Sequence, residues 1–519
     1  MYLKANAPEA APAGKTVIGF NLIHGREVEG DLAMIQARSA IDRRDLVGIF
    51  PESGEKDVAR AAKSASEAFH DWSRMTAKAR AEVLRRGLER LKIHQEQLAR
   101  ILTREIGLTP LEAKEELKAL ASSFRFFAAK GRMSMASPAP AEQGLSFHRR
   151  PVGVCGVLTS GTSPLAAPAA LIFPALLAGN TVVWKPSSLT PTSAYLFART
   201  LLEAGLPAGV LNTLNGRGHA VTGHHFIAGM EKGLFQGFLF AGSPHVGRIV
   251  GDHAGRSLIH PLLQVGAMNT LIVMPDADLD QAAQDALKGA YRRGGQSPTR
   301  LGNLLVHEAC HDGLRQRLLA GIAKLKEGNP LSHPKVAFGP MLHHRFATAL
   351  RNHWEAAEKD GATLLCGGAP WPKDPQDDHV LGDIAHGAFM QPTLWDGVTP
   401  AMDLFQTEVL GPSLNLCPVV DFEQALLQAN SLRDGRICSL YTSTRTWMDR
   451  FARESRAGVT GWNTLPSPVD PVLWQATATA DGIAALTTGQ WIHSRPRTEP
   501  ASESTQSVKP LPPTNWAEL

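Results

Sequence analysis

The stretch from Val152 to Pro186 reads VGVCGVLTSGTSPLAAPAALIFPALLAGNTVVWKP, and its pattern decides the fold class. An apolar run, VGVCGVLT, is followed by an Ala- and Leu-rich segment that ends in glycine, and a second apolar run, NTVVWKP, comes directly after it. Short runs rich in β-branched residues favour buried strands, and the longer segment between them favours a helix. The stretch therefore predicts a β-α-β unit with parallel strands.

The same alternation continues outward from this unit. Toward the C-terminus come the apolar runs GVLNTLNG and GFLFAGS, and then a second series with TLIVMPD and GNLLVHE, each beside a helix-like segment. Between about Glu55 and Lys130, apolar residues recur three and four positions apart, which predicts amphipathic helices. The expected fold class is α/β, with two parallel-sheet lobes and a small bridging or oligomerisation element.

The composition fits a large globular protein without nucleic-acid or membrane partners. Of its 519 residues, 43% are hydrophobic, and 53 basic residues nearly balance 49 acidic ones. The basic residues form no block that would neutralise phosphates or anionic lipid. The N-terminal residues lack the apolar region of a signal sequence, so we expect a cytoplasmic protein. Five cysteines, an odd number, fit reduced packing residues better than a disulfide framework.

Several longer motifs, taken together, carry a resemblance to a known family. They are HRRPVGVCGVL (148–158), PALLAGNTVVWKPSSLTP (174–191), EAGLPAGVLNTLNG (203–216), FAGSPHVG (240–247), PDADLD (275–280), GGQSPTRLGNLLVHE (294–308), TEVLGP (407–412) and RAGVTGWN (456–463). In this order they resemble the aldehyde dehydrogenase superfamily, and within it the succinylglutamate-semialdehyde dehydrogenase type. The resemblance implies a homo-oligomer, either a dimer or a dimer of dimers, assembled through the bridging element.

The resemblance also gives the expected domain boundaries. Residues 16–136 and 153–261 are expected to form a Rossmann-like cofactor-binding lobe, and residues 262–441 a catalytic-type lobe. Residues 137–152 and 442–494 are expected to form the bridging segment, and residues 495–519 a polar tail. The tail is rich in Ser, Thr and Pro, which is typical of an extended or disordered end.

The resemblance further implies a nicotinamide dinucleotide site at the C-terminal ends of the first lobe's strands. Lys185 matches the family's lysine that contacts the adenosine ribose, and Glu408 matches its glutamate for the nicotinamide ribose. The turn from Gly242 through Ser243 to Gly247 opens a helix whose N–H groups would receive the pyrophosphate. Two alternatives stay open: the glycines serve tight packing, and Lys185 is a solvated surface lysine.

Ser188 changes the expected choice of cofactor. The family usually has glutamate at this position, where it bonds the ribose hydroxyls, and a carboxylate repels a 2′-phosphate. With serine at 188, NADP is expected to bind at least as well as NAD. Since contacts are lost here and in the altered loop 160–163, we expect either cofactor, NAD or NADP, to bind more weakly than in the family.

The family's catalytic positions carry residues that cannot perform its chemistry. That chemistry needs a cysteine thiolate, an oxyanion hole made by an asparagine side chain and the nucleophile's own N–H, and a glutamate base. The matching residues here are Thr162, Gln264 and Pro298. Proline has neither sulfur nor N–H, and an amide does not take a proton from water near neutral pH. Ser297 and Thr299 flank Pro298, but neither has an evident base.

One group of residues has the chemistry of a metal site. His307, Cys310 and His311, in VHEACHD, are of types that bind zinc, but no fourth ligand is visible nearby. A polar surface turn explains this spacing better. The sequence therefore predicts no metal site.

Three functional hypotheses follow. The first is a pseudoenzyme that acts as a binding or assembly subunit, paired with itself or with an active homologue. The alternative is an NAD(P)-dependent semialdehyde dehydrogenase or reductase, of the succinylglutamate-semialdehyde type, with an unconventional active site. The third is a cofactor-binding sensor, which cofactor binding without turnover would favour.

Overall fold

A computed structural model of the chain describes residues 14–134, 145–218, 221–266, 268–373, 378–408, 410–432, 436–466 and 486–493. Its helices are α1 (Glu55–Arg74), α2 (Ala77–Ile93), α3 (Gln95–Ile106), α4 (Pro110–Ser134), α5 (Ala166–Ala178), α6 (Pro191–Glu203), α7 (Thr222–Ala228), α8 (Pro244–Arg256), α9 (Leu279–Tyr291), α10 (Glu308–Ile322), α11 (His344–Lys359), α12 (Asp403–Gln406), α13 (Phe422–Ser431) and α14 (Arg445–Glu454). Its strands are β1 (Val17–Ile18), β2 (Asn21–Ile23), β3 (Arg26–Val28), β4 (Met34–Arg38), β5 (Leu46–Pro51), β6 (Leu145–Pro151), β7 (Val154–Thr159), β8 (Thr181–Lys185), β9 (Leu211–Thr213), β10 (Gly237–Gly242), β11 (Leu262–Val265), β12 (Asn269–Val273), β13 (Leu301–His307), β14 (Glu327–Gly328), β15 (Thr363–Cys366), β16 (Val380–Leu381), β17 (Thr393–Asp396), β18 (Ser413–Val419), β19 (Ile437–Tyr441), β20 (Val459–Trp462) and β21 (Thr487–His493).

Two seven-stranded sheets organise the fold. The first has the order β11-β10-β7-β8-β9-β2-β3, and its strands from β11 to β9 run parallel. The second has the order β15-β17-β18-β13-β12-β19-β20 and is parallel from β17 to β20. Helices connect successive parallel strands, so the α/β class predicted from the sequence is confirmed.

Helix α5 shows why the opening stretch folds as it does. Every residue of α5 is buried, as expected for a helix that is apolar on all sides. It contacts β7, β8 and β10 on one side and α4 on the other. Gly179 ends the helix with a φ of 101°, a conformation that glycine adopts at little cost, and the chain then enters β8.

Two domain boundaries differ from the prediction. Strand β11 pairs with β10, so the first sheet extends past residue 261. Strand β20 pairs with β19, so the second sheet includes part of the segment 442–494 that was assigned to the bridge. Each of these strands is only four residues long, and β20 contains Gly461, so neither has the length or composition that marks a strand in sequence.

The predicted bridging segment is described in part. Strands β6 and β21 form an antiparallel two-stranded sheet that joins residues 145–151 to 487–493. The tail 495–519 and the connector 137–144 lie outside the described residues. None of the described helices combines the length and apolarity that crossing a bilayer requires.

Candidate functional site

A cleft of about 1300 Å³ opens where the strands of the first sheet end. One wall follows the ends of β7, β8 and β10, with residues 159–162, Lys185 and residues 240–246. The facing wall comes from α11 and residues 406–408. In an open parallel sheet, ligands bind at this edge, because the strand ends and helix N-termini meet there.

The side chains that line this cleft carry an excess of positive charge. Of the lining residues that the structure describes, the cations are Lys185, Arg217, Arg248, Arg345 and Arg436, and the carboxylate is Glu408. Ser243 caps α8 by accepting the Val246 N–H at 3.4 Å, and the first turn of α8 has no acidic residue. A helix N-terminus beside several cations suits a polyanion such as a pyrophosphate.

Lys185 is a buried donor in the cleft wall. Only 1% of its surface is exposed, and its Nζ donates to the carbonyl oxygen of Pro186 at 2.9 Å. Burial lowers the pKa of the amine to about 8, while the carboxylate of Glu52 acts in the opposite direction. The alternative that Lys185 is a solvated surface lysine is therefore wrong.

The structure brings most of the other predicted cofactor contacts to the same cleft. They are Ser188, Gly242, Ser243 and Glu408. Gly247 is not among the described lining residues: a Cβ at this position would lie 2.5 Å from Cγ1 of Val265. For Gly247, the packing alternative is the correct one.

The cleft is also lined by Thr162, Gln264 and Pro298, the residues that the sequence motifs predict at the family's catalytic positions. Oγ1 of Thr162 lies 3.4 Å from Oγ of Ser160, so this short side chain is directed along its own loop. Gln264 lies on β11 with 4% of its surface exposed. The site thus presents a hydroxyl, an amide and a pyrrolidine ring where covalent catalysis by a thiolate would need an asparagine amide, a carboxylate and a thiol.

The loop that carries Pro298 is held by close backbone contacts. Gly295 has a φ of 64°, and a Cβ there would lie 1.8 Å from the carbonyl oxygen of Gly411. The side chain of Gln296 accepts the N–H of Leu342 at 2.8 Å. Because Pro298 has no N–H, this fixed loop offers no backbone donor to an oxyanion at that residue.

The cysteines of the chain provide no substitute nucleophile. All five are free, and none of them lines the cleft. Burial raises the pKa of the thiols of Cys155 and Cys438 to about 12, and that of Cys417 is raised as well. A buried thiol that stays protonated is unreactive.

A comparison with known families identifies the family to which this fold belongs. The sequence profile of the aldehyde dehydrogenase family matches residues 30–473. The chain belongs to the aldehyde dehydrogenase family. The superfamily resemblance seen in the sequence motifs is thereby confirmed.

The relatives of this family member include several semialdehyde dehydrogenases. The alpha-ketoglutaric semialdehyde dehydrogenase of Bacillus subtilis (strain 168) is 31% identical over 454 residues, or 87% of this chain and 90% of that protein. The succinate-semialdehyde dehydrogenase [NADP(+)] of Escherichia coli (strain K12) is 30% identical over 423 residues, or 81% and 84% of the two chains. The crystal structure of an NAD-dependent aldehyde dehydrogenase from Sinorhizobium meliloti has a TM-score of 0.84 at 26% identity, covering 94% of this chain and 97% of that one. The narrower succinylglutamate type stays a prediction.

Sequence reasoning missed a buried carboxylate that lies between the loop of Thr162 and the loop of Pro298. Glu116, on α4, accepts hydrogen bonds from Ser163 Oγ at 2.8 Å and from the N–H groups of Leu165 at 3.0 Å and Ala166 at 2.8 Å. It also pairs with Arg293, which precedes the Pro298 loop. Burial alone raises the pKa of Glu116, but Arg293 and these hydrogen bonds hold it below its ordinary value.

A signal for Glu116 was present in the helical spacing. It lies three residues after Ala113 and four before Leu120, both of which are buried, so it falls on the apolar face of α4. A smaller cavity of about 120 Å³ lies beside it, lined also by Ser297 and Thr299, whose hydroxyl oxygens are 2.9 Å apart. These two hydroxyls bond each other, and the cavity lies next to the Pro298 loop.

The residues that suggested a metal site do not converge. His307 accepts the N–H of Ala309 at 3.1 Å, and Nε2 of His311 lies 2.9 Å from the carboxylate of Asp396. Cys310 is buried, with its sulfur near backbone carbonyls. Within the described part of the chain, no group of three or more His, Cys, Asp or Glu residues is placed to hold a metal ion.

Proposed function

We propose that this aldehyde dehydrogenase family member is a nicotinamide dinucleotide-dependent oxidoreductase that acts on semialdehydes. The observation that carries the proposal is the cationic cleft at the C-terminal edge of the first sheet. A dinucleotide has two linked phosphates and two riboses, and the cleft presents a capped helix N-terminus, cations and hydroxyls to such a ligand. The names of the relatives, which include alpha-ketoglutaric and succinate semialdehyde dehydrogenases, support semialdehydes as the substrate class.

Each part of a dinucleotide would have a suitable partner among the residues of the cleft. Lys185 and Ser188 would hold the adenosine ribose, the N-terminus of α8 at Ser243 the pyrophosphate, and Glu408 the nicotinamide ribose. When bound, the nicotinamide supplies a hydride donor or acceptor. The protein's part is to orient the ring and exclude water from the end of the cleft that contains Pro298.

The chemical step that these residues permit is direct hydride transfer. Pro298 carries no thiol to form a thioester, so a nicotinamide held by Lys185, Ser188 and Glu408 would supply hydride exchange with the carbon of the aldehyde or of its hydrate without a covalent enzyme intermediate. Oxidation of the hydrate releases the carboxylic acid and a proton, and reduction of the free aldehyde consumes a proton and gives the alcohol. The hydroxyl of Thr162 would donate a hydrogen bond to the substrate oxygen, in place of the family's asparagine.

A second candidate is a binding or assembly subunit without turnover. It is favoured by the combined presence of Thr162, Gln264 and Pro298, since loss of one oxyanion donor alone typically costs about 100- to 1000-fold in rate. Under this candidate the protein acts through its complex with itself or with an active homologue.

Single-turnover measurements separate the two candidates. The purified chain, loaded with reduced or oxidised cofactor, is mixed with succinate semialdehyde, and the cofactor absorbance and the products are followed. The oxidoreductase predicts that acid or alcohol forms in proportion to the cofactor consumed. Cofactor that binds but stays unchanged would contradict it and favour a cofactor-binding sensor. Neither binding nor turnover would leave the subunit candidate.

We also propose a homo-oligomer, a dimer or a dimer of dimers, built through β6 and β21. This two-stranded sheet pairs with neither large sheet in the described part of the chain, so its edges carry backbone N–H and C=O groups available to another copy. Light scattering after size exclusion should give a multiple of the 55.9 kDa chain mass. A monomer at micromolar concentration would contradict the proposal.

A further inference from the structure

One corner of the large cleft holds three charged residues that come from distant parts of the sequence. Glu52 follows β5, Lys185 ends β8, and Arg217 follows β9. The carboxylate of Glu52 is only 3% exposed, and each of the two cations shifts its pKa downward, Arg217 more than Lys185. Lys185 and Arg217 both line the cleft, together with Ser188.

Glu52 fixes the orientation of Arg217. Its Oε1 accepts the backbone N–H of Arg217 at 3.2 Å and Nε at 2.9 Å, and its Oε2 accepts Nη2 at 2.5 Å. This is a bidentate pair in which one side of the planar guanidinium faces the buried carboxylate. Within the described residues, no acceptor is bonded to Nη1, and 61% of the Arg217 side chain is exposed toward solvent and the cleft.

The net charge of this corner suits a phosphate monoester. Two cations and one carboxylate leave one positive charge, and Ser188 contributes a neutral hydroxyl where a carboxylate would repel an anion. Because the carboxylate of Glu52 is buried, bonded on both oxygens and absent from the described lining of the cleft, its role is to position Arg217. Guanidinium groups held in this way bind phosphate through two N–H donors.

We propose that Arg217, positioned by Glu52, recognises the 2′-phosphate of NADP together with Lys185 and Ser188, so that this cleft prefers NADP to NAD. The inference rests on the proposed function, because it places the adenosine ribose of a dinucleotide beside Lys185. It adds to that function a specificity residue, Arg217, and a positioning residue, Glu52.

The test is calorimetric titration of the full chain with NADP, NAD, adenosine 2′,5′-bisphosphate and adenosine 5′-monophosphate. In the unchanged protein, NADP should bind more tightly than NAD, and the bisphosphate more tightly than the monophosphate. Arg217→Gln should weaken NADP and the bisphosphate by about 10- to 100-fold, as expected for a lost hydrogen bond to a charged group, and leave NAD within about threefold. Arg217→Lys should give an intermediate loss, because an ammonium cannot pair with both Glu52 and the phosphate.

Arg345→Gln is the matched control, since it removes an exposed cation from the facing wall of the same cleft. It should leave the ratio of NADP to NAD affinity unchanged. If Arg217→Gln also leaves that ratio unchanged, or lowers both affinities equally, the inference is wrong while the proposed function stands. If the unchanged protein binds neither dinucleotide, the proposed function fails, and this inference fails with it.

Discussion

The two ends of the large cleft differ in what they offer a ligand. The end proposed to hold the dinucleotide presents a buried amine at Lys185 and a carboxylate at Glu408. The end proposed for the chemistry presents a hydroxyl, an amide and a pyrrolidine ring, at Thr162, Gln264 and Pro298. Binding depends on charge and shape, which several residue types can supply. Covalent catalysis needs one particular atom at one particular point. The proposed binding groups and the proposed reacting groups of one cleft can therefore be tested separately.

The largest effect is expected from introducing the family's reacting groups at the end of the cleft that contains Pro298. The triple variant Thr162→Asn, Gln264→Glu, Pro298→Cys places a thiol, two oxyanion donors and a base on the existing backbone. It should oxidise succinate semialdehyde at least about 1000-fold faster than the unchanged chain, because each oxyanion donor alone is worth about 100- to 1000-fold. The measurements are the rate of cofactor reduction and the acylated peptide detected by mass spectrometry.

The double variant that keeps Pro298 is the control for this experiment. Thr162→Asn with Gln264→Glu lacks the thiol and should show no acylation. A triple variant that binds cofactor but gains no rate would show that the difference between the two ends lies outside these three positions.

Removing the carboxylate that joins the chemical end to α4 should have the next largest effect. Glu116→Gln leaves the guanidinium of Arg293, whose side chain is 9% exposed, without its counterion. Breaking a buried pair from one side typically costs about 3–5 kcal/mol of stability. Denaturant unfolding should show this loss, whereas Glu82→Gln, which breaks an exposed pair with Arg85, should leave the midpoint unchanged. Equal midpoints for the two variants would contradict the role given to Glu116.

At the dinucleotide end, Ser188→Glu should reverse the cofactor preference. A carboxylate at this position would repel the 2′-phosphate and bond the ribose hydroxyls of NAD. NADP affinity should fall by about 10- to 100-fold while NAD affinity is kept or improved. Ser188→Ala is the matched control and should change neither affinity by more than about threefold. Tight NADP binding to the glutamate variant would place the ribose elsewhere in the cleft.

The sequence predicted the parts of the molecule whose signals are local. The β-α-β rhythm around α5 is a periodicity within one stretch, and Lys185, Ser188 and Glu408 stand in motifs whose order was recognisable. The short strands β11 and β20 were missed at the boundaries because four residues carry too little pattern.

The contacts that sequence reasoning missed join residues far apart in the chain. Glu116 and Arg293 are separated by 177 positions, and Glu52 and Arg217 by 165. Each residue taken alone looks like an ordinary charged side chain on a helix or in a loop. Only the folded structure shows that one member of each pair is buried. A buried charge needs its partner, because an unpaired charge inside the protein is costly.

The smallest expected effect, and the finest test of the dinucleotide end, is the pH dependence of cofactor choice. Burial holds the pKa of Lys185 at about 8, so the amine is about nine-tenths charged at pH 7 and about one-tenth charged at pH 9. Over that range Glu52 stays ionised, because its pKa is lowered, and Arg217 stays charged, because its pKa is raised.

The sign of the effect follows from these charges. The 2′-phosphate is largely doubly ionised by pH 7, so the loss of the Lys185 charge is the change that remains. The ratio of NADP to NAD affinity should therefore fall by up to about tenfold between pH 7 and pH 9. Lys185→Met should start from a low ratio and show no such dependence. Calorimetry at several pH values measures both, and a flat ratio in the unchanged protein would mean that the amine does not face the 2′-phosphate.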